Sequence, residues 1–318
     1  MTPLLRVTHL CKEVEAGGFL DRRRVRILDD VSFQIEPGEI LGLAGESGSG
    51  KTTLARCLMR LVEPSSGTIL FEGVDILSLR PAALRRLRCK FQMVFQDAAA
   101  SLNNRMSVGQ ALSEPLAALQ MGTRSEREER VLALLDLVGL EHALVQRPAS
   151  RLSGGQQQRL VIARALALRP RLLIADEPVS ALDASVQAQV LNLLADLRGR
   201  LGLTVLLISH SLPVIHYLCS RVLVMYLGKL VEESPVEEFF EQPRHPYSQA
   251  LLESVPGLDL SKPARRPVLS GEVPSPASPP PGCRFHPRCP SAMARCREEI
   301  PGMKPTGRTG RAACFLYE

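Results

Sequence analysis

An eight-residue run, Gly45-Glu46-Ser47-Gly48-Ser49-Gly50-Lys51-Thr52, leaves this chain few folds to adopt. It matches the phosphate-binding pattern G-x-x-x-x-G-K-[ST] at every fixed position. The pattern requires a strand before it and a helix after it, and both are legible. Glu39–Ala44 reads as a buried strand, and a helical segment follows from Lys51. The glycines let backbone N–H groups turn inward around phosphates, and the helix aims the positive end of its dipole at them. Lys51 adds a point charge for the β- and γ-phosphates, while the Thr52 hydroxyl is a ligand for Mg²⁺.

A second strand, Leu172–Ala175, ends in the carboxylates Asp176 and Glu177. At such a strand end Asp176 can hold Mg²⁺ through water, and Glu177 is placed to polarise an attacking water. Alone, an apolar run followed by two acids would read as a solvated strand end. With the phosphate loop upstream, the catalytic reading prevails. Thr204–Ser209 reads as a third strand. Arg127–Leu140 carries Val131, Leu134, Leu135 and Val138 at helical spacing, the apolar stripe of an amphipathic helix. Strands alternating with helices predict an α/β domain with a largely parallel sheet, and 97–170 reads as a mostly helical insertion.

The octet Leu152-Ser153-Gly154-Gly155-Gln156-Gln157-Gln158-Arg159 narrows the field further. Ser153 is a good N-cap, and Gln156–Leu168 then runs as a helix until Pro170. This is a second helix N-terminus suited to anions.

With these motifs the chain closely resembles the ATP-binding cassette (ABC) ATPases, from about residue 4 to 255. The resemblance implies an α/β P-loop NTPase core with an inserted helical subdomain and a short Cys-containing C-terminal extension. It places an ABC ATPase domain at 1–255 (helical subdomain 97–170), a Pro-rich linker at 256–282 and the extension at 283–318. It implies a nucleotide site built from Gly45 to Thr52, with Thr53, and a signature Ser153-Gly154-Gly155-Gln156 that closes over the γ-phosphate of a second cassette. Gln96 is then the loop glutamine that touches Mg²⁺ and water, Asp183 the dimer-facing aspartate, and His210 the switch histidine at the γ-phosphate. Mg²⁺ would be held by Thr52, Gln96 and Asp176, and ATP would be hydrolysed to ADP and phosphate with Glu177 as base. The family usually stacks adenine on an aromatic residue near the chain start; here Val14 occupies the matching position, and Phe19 is the nearest aromatic.

Three segments are similar to the dipeptide, oligopeptide and nickel importers within that family. They are Phe95–Met106, Phe240–Leu252, and the tail containing Cys283-Arg284-Phe285-His286-Pro287-Arg288-Cys289-Pro290 with Cys296 and Cys314. The resemblance implies two transmembrane permeases, a second cassette that is a paralogue, and an extracytoplasmic binding protein acting indirectly. It places the chain peripherally on the cytoplasmic face of the inner membrane, driving peptide uptake. No apolar run approaches the ~20 residues needed to cross a bilayer, and the N-terminus lacks a signal-peptide pattern, so neither a membrane-spanning nor a secreted chain is expected.

The net charge of +6 sits mostly in the tail, where 259–318 carry ten Lys/Arg against five Asp/Glu. That opens a rival, a soluble nucleic-acid-associated cassette with a basic tail. The near-neutral body and the few tail aromatics weigh against it, and no nucleic acid is expected. Nine of the 24 prolines fall between Pro263 and Pro290, which predicts an extended connector. The tail thiols Cys283, Cys289, Cys296 and Cys314 are separated by five, six and seventeen residues, which fits neither a common zinc-finger nor a ferredoxin spacing. They hold a [4Fe–4S] cluster, hold Zn²⁺, or stay plain reduced thiols. Cys11, Cys57, Cys89 and Cys219 read as packing residues.

Overall fold

The computed structural model describes residues 2–16, 23–255, 272, 274–307 and 309–318. Its elements, in chain order, are β1 (Leu5–Ala16), β2 (Arg23–Ile35), β3 (Ile40–Ala44), α1 (Lys51–Leu58), β4 (Ser66–Phe71), β5 (Val74–Asp75), α2 (Pro81–Leu87), β6 (Phe91–Val94), α3 (Ala98–Ser101), α4 (Val108–Ala118), α5 (Arg124–Val138), α6 (Gly154–Leu166), β7 (Leu172–Asp176), α7 (Ala184–Leu201), β8 (Thr204–Ile208), α8 (Leu212–Leu218), β9 (Arg221–Tyr226), β10 (Lys229–Pro235), α9 (Val236–Glu241), α10 (Pro246–Glu253), β11 (Lys304–Thr306) and β12 (Gly310–Ala312). They divide into two compact units, one of Met1–Glu36, Ile40–Ser78 and Ser209–Glu318, the other of Pro37–Glu39 and Leu79–Ile208.

The first unit carries the phosphate loop. One of its sheets is antiparallel, in the order β2-β1-β4-β5. This antiparallel sheet departs from the largely parallel α/β sheet that the strand–helix alternation predicts. The reason is visible in β1: bulges break its pairing with β2 after Val7, Leu10 and Lys12, and they interrupt the strict alternation that marks a half-buried strand. In the other sheet β3 pairs parallel with β9, and all five β3 residues are buried. Such continuous apolar runs are typical of parallel strands covered on both faces. The β9–β10 hairpin turns through Leu227 (φ +41°) and Gly228 (φ +83°), two positive-φ residues as a tight hairpin twist demands. A Cβ on Gly228 would lie 2.3 Å from the Ile27 carbonyl oxygen, so only glycine fits.

The Cys-containing tail belongs to this same unit. Strand β12 pairs antiparallel with β10 (Glu232↔Ala312, Glu233↔Arg311), and β11 pairs with β12. Two arginines, Arg221 and Arg311, converge on the Glu233 carboxylate across this junction. The domain boundary expected near Pro256 and most of the linker lie outside the described residues.

In the second unit β6, β7 and β8 run parallel, with Phe91 opposite Leu172 and Leu172 opposite Thr204. The stretch between β6 and β7 is helical, α3 to α6. Capping boxes start three of these helices: Ser107 with Gln110, Thr123 with Glu126, and Ser153 with Gln156. Helix α5 buries Val131, Leu134, Leu135 and Val138, the stripe read from the sequence, and ends at Gly139 with φ +66°. Of the four cysteines expected to pack, Cys57 and Cys219 are buried, whereas Cys11 and Cys89 are half-buried.

Candidate nucleotide site

The phosphate loop connects β3 to α1. Gly45, Gly48 and Gly50 take φ of +151°, +77° and +107°. A Cβ on Gly45 would come within 2.2 Å of the Met225 carbonyl oxygen, so the loop's close approach to β9 requires glycine. Lys51 is buried, and its Nζ donates to the Gly45 oxygen (2.7 Å), the Glu46 oxygen (2.8 Å) and the Ser49 hydroxyl (3.3 Å). The ammonium thus stands inside the cradle of its own loop, where incoming phosphates would compete with carbonyls for it.

Glu46 is held on every polar side. Its N–H donates to the Tyr247 hydroxyl (2.8 Å), its carbonyl accepts from Lys51, and its carboxylate accepts from both Arg288 nitrogens (2.9 and 3.2 Å). Burial pushes the Tyr247 phenol well above its ordinary value, so the oxygen that accepts the Glu46 N–H belongs to a neutral hydroxyl. In the sequence, the segments around Tyr247 and Arg288 are only marks of resemblance. Their role at the loop was not legible, because both contacts span about two hundred residues or more.

Tyr247 owes its position to the start of α10. The buried Glu232 carboxylate accepts the N–H groups of Arg244 (2.9 Å) and His245 (2.7 Å), and the His245 ring accepts the Tyr247 N–H (3.0 Å). Burial drops the His245 imidazole to about 3, which keeps that acceptor neutral.

In the second unit, Glu177 follows the last residue of β7 in a left-handed backbone conformation, φ +47°. For a non-glycine residue that costs on the order of 1–3 kcal/mol. The turn is fixed by the Glu177 N–H donating to the Ile208 oxygen (2.9 Å) and by the Ser180 hydroxyl donating to the Glu177 oxygen (3.1 Å). The Glu177 carboxylate accepts from the Gln96 amide at 2.8 Å. Gln96 and Glu177, both chosen from the sequence, are therefore neighbours, 81 residues apart. Asp176 is buried at the end of β7.

Ser153 caps α6, its hydroxyl accepting the Gln156 N–H, and lies exposed beside Gly154. Asp183, also exposed, begins α7. The signature glycines pack against this second element: a Cβ on Gly154 would lie 3.4 Å from Leu182, and one on Gly155 only 2.4 Å from Val186 Cγ1. Val186 is β-branched and cannot swing aside easily. Gly155→Ala is expected to destabilise the chain by about 1–3 kcal/mol, because overpacking outweighs the small propensity gain near a helix start. Adding Val186→Ala should restore most of that loss in denaturant unfolding; no recovery would refute the contact.

His210, in the first unit, is exposed just beyond β8. Val14 stands exposed on β1 opposite Val25, and Phe19 lies outside the described residues. The tail thiols Cys283, Cys289, Cys296 and Cys314 line one pocket with Phe285, His286 and Phe315. The Cys283 N–H donates to the Cys296 oxygen (2.9 Å). Burial pushes Cys283 up to about 11 and raises Cys289 and Cys314 as well. Among the described residues no three or more His, Cys, Asp or Glu form a group that could hold a metal ion as they stand. No helix among them is long and apolar enough to cross a membrane.

Residues 28–180 match the family model described as ABC transporter, and 231–296 match the oligopeptide/dipeptide transporter C-terminal region. A putative peptide import ATP-binding protein of Brucella ovis is 48% identical over 314 residues, 99% of this chain and 98% of the relative. The oligopeptide transport ATP-binding protein AppF of Bacillus subtilis is 49% identical over 92% of this chain and 90% of its own. The dipeptide transport ATP-binding protein DppF of Escherichia coli is 45% identical over 99% and 95%. Among solved structures, a dimeric ATP-binding cassette in a post-hydrolysis state with ADP and Pi superposes with a TM-score of 0.66. It is 28% identical, covering 73% of this chain and 98% of that one.

Proposed function

The chain belongs to the ABC transporter ATP-binding subunits, in the oligopeptide/dipeptide group, and from that premise we propose that it hydrolyses ATP to drive peptide uptake through partner permeases. The observation that carries the hydrolytic part is the Gln96–Glu177 pair: a carboxylate on a constrained turn at a strand end, oriented by an amide. Glu177 polarises the attacking water and takes up its proton, and the amide of Gln96 fixes the carboxylate's direction. Lys51 and the loop N–H groups bind the β- and γ-phosphates. The residues that would hold Mg²⁺ are Thr52 in the first unit, with a hydroxyl, and Gln96 and Asp176 in the second, with an amide oxygen and a carboxylate; each is a hard oxygen donor of the kind Mg²⁺ takes. When bound, Mg²⁺ would supply charge neutralisation of the phosphates.

Ser153, Gly154, Gly155, Gln156 and Asp183 serve the facing cassette, a paralogue of this chain, and the exposure of Ser153, Gly154 and Asp183 suits a surface that meets a partner. His210 contacts the γ-phosphate. Two permeases complete the complex and hold this subunit at the cytoplasmic face of the inner membrane, with an extracytoplasmic binding protein delivering peptide. The relatives named above are named for peptide transport, and nothing in them favours the nucleic-acid reading. Purification from membranes separates the two: the chain should co-purify with two multi-span membrane proteins. Co-purification with nucleic acid instead would sink the importer reading.

We propose that the four tail thiols hold a metal, a [4Fe–4S] cluster ahead of Zn²⁺, the alternative being plain reduced cysteines. What supports this is that the four thiols line one pocket. Anaerobically purified protein should carry iron and labile sulfide at about four each per chain. Stoichiometric zinc without sulfide would replace the cluster by a zinc staple, and absence of both metals would refute either.

A further inference from the structure

Glu46 is an acid inside the loop that receives a polyphosphate, so its charge has the same sign as the ligand's and repels it. Arg288 of the Cys-containing tail meets it from 242 residues away, with both terminal nitrogens on the carboxylate at 2.9 and 3.2 Å. The arginine is itself built in. It is only 7% exposed, donates to the Tyr226 hydroxyl at 3.3 Å, and sits between Pro287 and Cys289 on a short helical turn. Phe285 packs edge-on to Tyr226 and against Tyr247, the residue that holds the Glu46 N–H. A second arginine of the tail, Arg284, donates to the Leu227 carbonyl oxygen and the Asp29 carboxylate. It thereby braces the hairpin tip whose Gly228 N–H donates to the Ser49 oxygen of the phosphate loop (2.8 Å).

We propose that Arg288 is a positioning residue for nucleotide binding, cancelling the charge of Glu46 and holding the start of the phosphate loop, so that the Cys-containing tail sets the chain's affinity for Mg·ATP. The proposal rests on the reading of Gly45–Thr52 as the ATP site. Without the guanidinium, the carboxylate is left partly buried beside the phosphate cradle, where it repels the ligand and is released to move the loop. Because Arg288 directly precedes Cys289, any rearrangement of the thiol pocket is transmitted to this ion pair through one peptide bond.

The test is Mg·ATP affinity of the full-length chain, read by displacement of a fluorescent ATP analogue, with melting temperature as a check on folding. Arg288→Gln should raise Kd about five- to twentyfold at low salt, within the range of coupled charged pairs. The rise should shrink at high salt, where screening weakens a charge penalty but not a lost fold. Arg288→Lys, which keeps the charge, should stay within about threefold. In a Glu46→Gln background, adding Arg288→Gln should change Kd by less than about twofold, since no charge remains to be cancelled. That double variant also keeps the test alive if Arg288→Gln alone fails to fold, because neither charge is then buried alone. A Kd for Arg288→Gln within twofold of the parent, or the same rise in the Glu46→Gln background, would overturn the proposal. A parent that binds Mg·ATP but never hydrolyses it would instead sink the ATPase reading, with the coupling still measurable in Kd.

Discussion

Glu177→Gln lowers the turnover of ATP by about 10²–10⁴-fold, the usual contribution of a positioned general base, while leaving Mg·ATP binding close to that of the parent. The two side chains are nearly isosteric, so the constrained turn at φ +47° and its bonds to Ile208 and Ser180 are unaffected in shape. What is lost is the ability to take a proton from water. Gln96, which donates to the carboxylate at 2.8 Å, can donate equally to an amide oxygen, so its orientation survives too. Phosphate release and nucleotide Kd measured on the same preparation check this. With chemistry blocked and binding intact, the variant should also accumulate the closed cassette dimer in the presence of ATP. A variant that turned over at the parental rate would remove Glu177 from the mechanism.

Lys51→Ala affects the opposite quantity. Its ammonium is the buried cation of the phosphate loop, and hydrogen bonds to charged groups are worth roughly 1.5–3 kcal/mol. Losing it should raise the Kd for Mg·ATP on the order of a hundredfold, where each 1.4 kcal/mol is tenfold. Stability should fall as well, because the oxygens of Gly45 and Glu46 lose the donor they hold at 2.7 and 2.8 Å. The two effects separate in experiment: titration with ATP reads the first, and denaturant unfolding without nucleotide reads the second. Parental ATP affinity in a folded Lys51→Ala variant would contradict the assignment of this loop.

The contrast between these variants reflects how the site was legible. The phosphate loop, the Asp176-Glu177 strand end and the Ser153 cap are each encoded within a few adjacent residues, where glycine φ values, strand apolarity and capping chemistry speak locally. The resemblance singled out Gln96 and the strand end singled out Glu177, but their pairing became visible only in the structure, since no local pattern joins residues 81 apart. The antiparallel sheet of β1, β2, β4 and β5 escaped because its bulges blur the two-residue period. Tyr247 and Arg288 escaped for a different reason. Nothing about a tyrosine after Pro246 or an arginine before Cys289 indicates what it will face. The start of α10, held by Glu232 and His245, brings Tyr247 to Glu46, and the folding of the tail onto β10 brings Arg288. The positive charge of the tail, read at first as a hint about partners, has in Arg284 and Arg288 two members used internally, against Asp29 and Glu46. Adenine stacking was legible only as a departure, and Val14 remains exposed where the family usually has an aromatic ring.

The most direct test of the whole account is peptide transport by the complete complex. The chain, its paralogous cassette and the two permeases, reconstituted in proteoliposomes with ATP on the cassette side and the binding protein on the other, should move a labelled di- or oligopeptide toward the ATP-containing side. That movement should require hydrolysable ATP and be lost with Glu177→Gln. Peptide movement that proceeds equally with Glu177→Gln, or ATP hydrolysis by the complex with no peptide movement for any length tried, would contradict it.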